Sequence, residues 1–227
     1  MKKIVIGAGL MMILAACGSG NVVQDRRGGG EEFALKLSGE LAQTVTRSLP
    51  DPDCLESRAQ TGIEGSCELL VVASVGPVQI ATPAQIATDG DLVSADGVRL
   101  SDAAGTVETR SWQQEARGFY YIDWHEKHMG QIYWNGERVW STHAYQDYVG
   151  NHDCGISNGI LYSVDVVACS TKQFPDHLEE WDYFKVSVIY EGFPAFRTFD
   201  MHISSDTAGN MMQYWGGGIR PQELVTY

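Results

Sequence analysis

The chain has 227 residues, 44% of them hydrophobic, and a formal net charge of -13, which is enough apolar material for a substantial core and too much for a disordered chain. Sixteen Lys plus Arg stand against 29 Asp plus Glu, which argues against a nucleic-acid backbone or an anionic bilayer surface as the main partner, since both reward clustered positive charge. Twenty-five glycines, ten tyrosines and six tryptophans suit a turn-rich β protein better than a helical bundle.

At the N-terminus, Lys2 and Lys3 precede an apolar run from Ile4 to Ala15, shorter than the ~20 residues of a membrane-crossing helix, and ending Leu14-Ala15-Ala16-Cys17. These residues resemble the lipobox of bacterial lipoprotein signal peptides. The resemblance implies that residues 1–16 are removed and that Cys17 heads the mature protein, carrying a thioether-linked diacylglycerol and an N-acyl chain such as palmitate. At ~0.8 kcal/mol per buried CH₂, two or three acyl chains hold a protein on a membrane far more firmly than one. Gly18 stands where Asp would resemble an inner-membrane retention signal, so the expected address is the cell envelope, at the outer membrane of a host that has one. From Gly18 to Gly30 the chain lacks hydrophobic periodicity and ends in three glycines, so residues 17–30 read as a lipidated cysteine on a flexible tether.

Setting Cys17 aside leaves Cys54, Cys67, Cys154 and Cys169, an even number suited to an oxidising compartment. Four cysteines allow three pairings. Pairing Cys54 with Cys67 and Cys154 with Cys169 is favoured, because each pair encloses a Gly-containing turn sequence, TGIEGS and GISNG.

Residues 31–227 read as one β-rich domain opened by a helix. Phe33, Leu37, Leu41 and Val45 recur every four residues, which predicts an α-helix at about 31–48 that Pro50 stops. Strands are predicted at Leu69–Val75 and Val78–Ala81, followed by hairpins around Asp96-Gly97 and Ala104-Gly105. Gly118–Trp124 reads as a strand and His125–Met129 as a loop leading into the hairpin GQIYWNGERVWST. A type I′ turn at Asn135-Gly136 would pair Tyr133 with Arg138 and Gln131 with Trp140, with Ile132, Trp134 and Val139 on the opposite face. Further strands are expected at Ile160–Ala168, Tyr183–Tyr190 and Phe196–Ile203. The fold class expected is mainly β, an antiparallel, jelly-roll-like sandwich with one N-terminal α-helix. The string from Phe119 to Trp140 resembles the strand, loop and hairpin of concanavalin-like lectin and glucanase domains, but the E-x-D-x-x-E strand of their hydrolase branch is absent, which argues against glycan hydrolysis of that type.

Nine aromatic residues lie between Phe119 and Tyr148, a patch that suits either packing or an exposed contact face. If exposed, Gln131, Tyr133, Arg138 and Trp140 would present flat rings with polar edges to a protein or glycan. His125 and His128, with His143, are the candidate metal ligands, although His-Glu-Lys-His is not HExxH. Asp123 and Glu126 are the candidate carboxylate pair for a glycan hydrolase. Neither arrangement has the spacing that its chemistry demands. The expectation is a non-enzymatic lipoprotein without a cofactor, attached to the membrane by covalent lipid and binding an envelope protein or glycan, with the hydrolase and a metal-binding protein as alternatives.

Overall fold

The computed structural model describes residues 22–23, 33–50, 55, 58–59, 62, 67–119, 123–145, 148–150, 156–158, 162–190 and 193–216. Alternation of apolar and polar side chains puts most of these residues into strands. In chain order they are β1 (Val22–Val23), β2 (Phe33–Leu37), β3 (Gln43–Pro50), β4 (Glu68–Val75), β5 (Gln79–Ile80), β6 (Glu108–Phe119) and β7 (Asp123–Trp134). There follow β8 (Val139–Tyr145), β9 (Tyr148–Gly150), β10 (Ile156–Asn158), β11 (Tyr162–Gln173), β12 (His177–Tyr190), β13 (Phe193–Asp206) and β14 (Met211–Gly216). A short helix, α1 (Pro83–Asp89), and a 3₁₀ turn at Leu100–Asp102 interrupt them.

The strands form two antiparallel sheets, a β-sandwich. Sheet A runs β1-β2-β14-β13-β12-β11-β10, and sheet B runs β3-β4-β6-β7-β8-β9 with β5 also on β6. Successive strands are mostly neighbours, so the connections are those of meanders, simpler than the Greek keys of a jelly roll. The chain leaves sheet A after β2, builds sheet B, and returns to sheet A from β10 onward.

The helix expected at 31–48 is instead β2, a turn and β3. A four-residue apolar spacing is also a multiple of the two-residue strand period, so Phe33 and Leu37 satisfy both patterns. The residues between them decide. Leu35 is as buried as Leu37, as in a strand, whereas Leu41 stands 78% exposed in the turn. Gly39 there has φ 96°, a value that ends either kind of element. Beyond it, β-branched Thr44, Val45 and Thr46 favour extended backbone, with alternate residues half-buried. Pro50 is tolerated because β3 is an edge strand of sheet B.

Between the sheets lies a core of Leu35, Leu37, Val71, Ala73, Trp112, Ile132, Trp134, Phe184, Phe199, Met201, Ile203 and Trp215. A polar seam crosses it. Gln114 Nε2 of sheet B donates to the carbonyls of His202 (2.9 Å) and Tyr214 (3.0 Å) in sheet A, and Gln213 Nε2 of sheet A donates to Ser74 O (3.2 Å) in sheet B. Ser141 Oγ donates to Glu180 Oε2 at 2.8 Å. Cys67 and Cys169 each take part in a disulfide, and Cys54 and Cys154 lie outside the described residues, as do the leader and Cys17. No helix among the described residues is long and apolar enough to cross a membrane.

Glu126, Glu180 and Asp182 point into this interior, and all three are fully buried. Burial pushes the Glu180 carboxyl up to about 8, the Ser141 hydrogen bond offsetting part of the effect. Asp182 is pushed well above the usual carboxylate range, first by burial and then by the carboxylates of Glu126 and Asp200. The native state therefore keeps protons that an unfolded chain, with Glu180 near its ordinary 4.5, has released. Stability must fall as pH rises through that window. The thermal midpoint should decline from about pH 5 to about pH 8 and then level off, and Glu180→Gln should flatten the slope. A midpoint that climbs across this range would contradict a protonated interior.

Candidate functional site

Around Tyr133 and Trp140, sheet B is covered on both faces. Its inner face packs on sheet A, and its outer face lies beneath the segment between β4 and β6. That segment opens with α1, which begins with a capping box: Gln85 N donates to Thr82 Oγ1 (3.2 Å), Thr82 N donates to Gln85 Oε1 (2.9 Å), and Pro83 occupies the first turn. Leu92, Leu100 and Val107 then pack with Ala81 on the outward side chains of β7 and β8.

Those outward side chains are the aromatic pair expected to form a contact face. Tyr133 is 1% exposed and Trp140 0% exposed, so both are core. The Tyr133 hydroxyl donates to Asp89 at the end of α1, and Trp140 Nε1 donates to Val98 O at 2.9 Å. Burial, and then the Asp89 hydrogen bond, push the Tyr133 phenol well above its ordinary value. Arg138 latches the same segment: its guanidinium pairs with Asp96 at 2.8 Å and thereby holds that carboxyl well below the usual carboxylate range. The expectation of an exposed Tyr133–Arg138–Trp140 face is thus corrected. Trp140 and Tyr133 anchor a cover, and Arg138 fastens it.

The hairpin register also differs from the expected one. Tyr133 pairs with Trp140 and Gln131 with Thr142, two residues on from a turn centred at Asn135-Gly136. Asn135 Oδ1 accepts from the N–H groups of Glu137 (3.1 Å) and Arg138 (2.9 Å), so Gly136 and Glu137 form the bend. An even shift preserves the faces, which is why the expected alternation survives.

Beside the buried pair, where the cover ends, a groove of about 660 Å³ opens between α1 and the sheet. Its floor carries Ser74 of β4, Ser111 and Gln113 of β6, Met129 and Gln131 of β7, and Thr142 of β8. Gln85, Thr88 and Asp89 of α1 form the wall. At Gly76 a Cβ would lie 2.5 Å from Ser111 Oγ, so a side chain at this point on the groove rim would displace that hydroxyl. Of the expected contact residues, Gln131 and the edge of Tyr133 reach this groove, and Arg138 and Trp140 do not. Ser74, Ser111, Gln113 and Asp89 escape a reading by motif because isolated Ser and Gln on a strand carry none. The Thr82-Pro83-Ala84-Gln85 capping signature is the sequence signal that a helix stands nearby.

His125–Met129, expected as a loop, is the middle of β7. Strand geometry sends residues three apart to opposite faces, so His125 is exposed while His128 is buried, with His128 Nδ1 3.0 Å from Gln114 Oε1. Those two rings cannot share an ion, and the side chain of His143 lies outside the described residues. Among the described residues no three His, Cys, Asp or Glu side chains gather as a metal site requires. Asp123 and Glu126 occupy β7 positions with the same three-residue separation. Glu126 is fully buried in the interior between the sheets, where no glycosidic bond could reach it, so the expected carboxylate pair is corrected.

No family model, curated protein or solved structure matches the chain. Because Trp140 is core, Trp140→Ala should destabilise the domain by about 3–5 kcal/mol in chemical denaturation. A substitution that leaves the unfolding midpoint unmoved would return Trp140 to the surface.

Proposed function

We propose that this protein is a lipid-anchored lipoprotein of the bacterial envelope whose β-sandwich is a non-enzymatic binding module, holding an envelope protein or glycan in the groove beneath α1. The observation that carries this reading is the groove itself. Its floor is a hydrogen-bonded sheet and its wall a capped helix tied down through Tyr133 and Asp89, so its polar groups are held in place before a ligand arrives. Its volume lies within the roughly 300–1,000 Å³ usual for ligand sites.

The lysine-led apolar leader ending at Cys17 supports the lipid anchor, and the tether to Gly30 would let the domain stand off the bilayer. The excess of acidic over basic residues would also hold it away from an anionic leaflet. Sequence-local disulfides, Cys54 to Cys67 and Cys154 to Cys169, would each add ~3 kcal/mol in the chain-entropy model. Hydrolysis through Asp123 and Glu126 and metal handling through His125 and His128 are not part of the proposal, because each pair is split between alternating positions of β7.

Replacing Cys17 with Ser should abolish palmitate labelling and release the protein from the membrane fraction; continued labelling would refute the anchor. For the groove, Ser111→Trp fills the floor from an exposed position. Retention of the protein on washed envelope fragments should drop at least tenfold, with the melting temperature unchanged. Undiminished retention would remove the groove as the binding site.

A further inference from the structure

Resting on that assignment of the groove, we propose that its ligand is a neutral saccharide. The reasons lie in which groups line it and which are already engaged. Among the described lining residues there is no Lys or Arg, so a phosphate, sulfate or uronic acid would find no counter-charge. The one carboxylate among them, Asp89, has Oδ2 occupied by the Tyr133 hydroxyl. A lone carboxylate already hydrogen-bonded is a poor seat for a cation and a good acceptor for a hydroxyl through Oδ1.

The other polar groups of the floor are hydroxyls and amides, set among the apolar surfaces of Trp112 and Met129. The side chains of Ser74, Ser111 and Gln113 have no hydrogen-bond partner among the described residues and are left to solvent or ligand. Ser111 faces Gln131 directly across the β6–β7 ladder, with Gln113 the next residue outward on the same face of β6. A primary amide offers an acceptor and two donors side by side, which matches adjacent hydroxyls on a sugar ring. Met129, opposite Gln113, supplies a polarizable apolar contact for the C–H face of such a ring.

The same features disfavour a peptide. The floor is a sheet face whose backbone N–H and C=O groups are engaged in the β4–β6–β7–β8 ladders, so an extended peptide cannot join it as a strand.

Periodate, which cleaves vicinal diols, separates a saccharide ligand from a protein one. Full-length protein should lose at least tenfold of its retention on envelope fragments treated with periodate and keep it on fragments treated with protease. Neutral oligosaccharides of hexose and N-acetylhexosamine should compete for binding, and sulfated or uronic oligosaccharides should not. The variant Gln113→Ala should weaken binding of the competing oligosaccharide about tenfold without moving the melting temperature, the scale of a lost hydrogen bond or two. Retention that is protease-sensitive and periodate-resistant, or displaced by acidic sugars alone, would overturn the saccharide assignment while leaving the groove as the site. Retention indifferent to Ser111→Trp would overturn the groove itself.

Discussion

Arg110 joins the parts of this structure that the chain must bring together. Its guanidinium is buried with no carboxylate partner among the described residues, and it donates instead to backbone carbonyls: Gly39 at 3.1 Å, Leu41 at 3.3 Å, and Gly76 at 3.1 and 2.8 Å. Gly39 and Leu41 lie where the chain passes from sheet A to sheet B, and Gly76 lies where β4 gives way to the cover. One side chain thus ties together the inter-sheet crossing and the start of the segment that walls the groove. Guanidinium suits this role because its donors fan out in a plane and remain charged even when desolvation lowers the pKa, as it does here.

The second constraint is that sheet B is buried on both faces around the Tyr133–Trp140 pair. Along β7, Ile132 and Trp134 enter the core between the sheets while Tyr133 enters the smaller core under the cover. A strand with two dry faces needs apolar or aromatic residues without alternation, as Ile132-Tyr133-Trp134 supplies. Toward Met129 and Gln131 the cover stops and the outward floor becomes more polar. The groove is the boundary between those regimes. Its rigidity is inherited from the core, since Asp89 both ends the helix and holds Tyr133.

The interior between the sheets combines packing with a polar seam. Gln114, Gln213 and Trp215 each send a side-chain donor across to a backbone carbonyl of the opposite sheet. Apolar contact alone would let two sheets slide, whereas directional bonds of this kind favour one alignment. The buried carboxyls of Glu180 and Asp182 share this seam, and their protonation keeps negative charge out of a low-dielectric layer.

Local pattern is legible in the sequence wherever a strand has one wet face or a strong turn. The alternation along Phe184 and Val186, the apolar run of β4 and the division of faces around Asn135-Gly136 all follow from the order of the residues. β2 resembles a helix in sequence because four-residue spacing fits both periods, whereas β14, absent from the expected strands, follows a clear turn sequence, Asp206-Thr207-Ala208-Gly209-Asn210, with Gly209 at φ 75°. Composition and alternation therefore dictate the mainly β architecture and which side chains share a face. Which of those faces meet water is settled by contacts between distant parts of the chain. The groups that bury Tyr133 and Trp140 come from Asp89 and Val98, 44 and 42 residues away, and periodicity, being local, carries no information about a cover supplied from that distance.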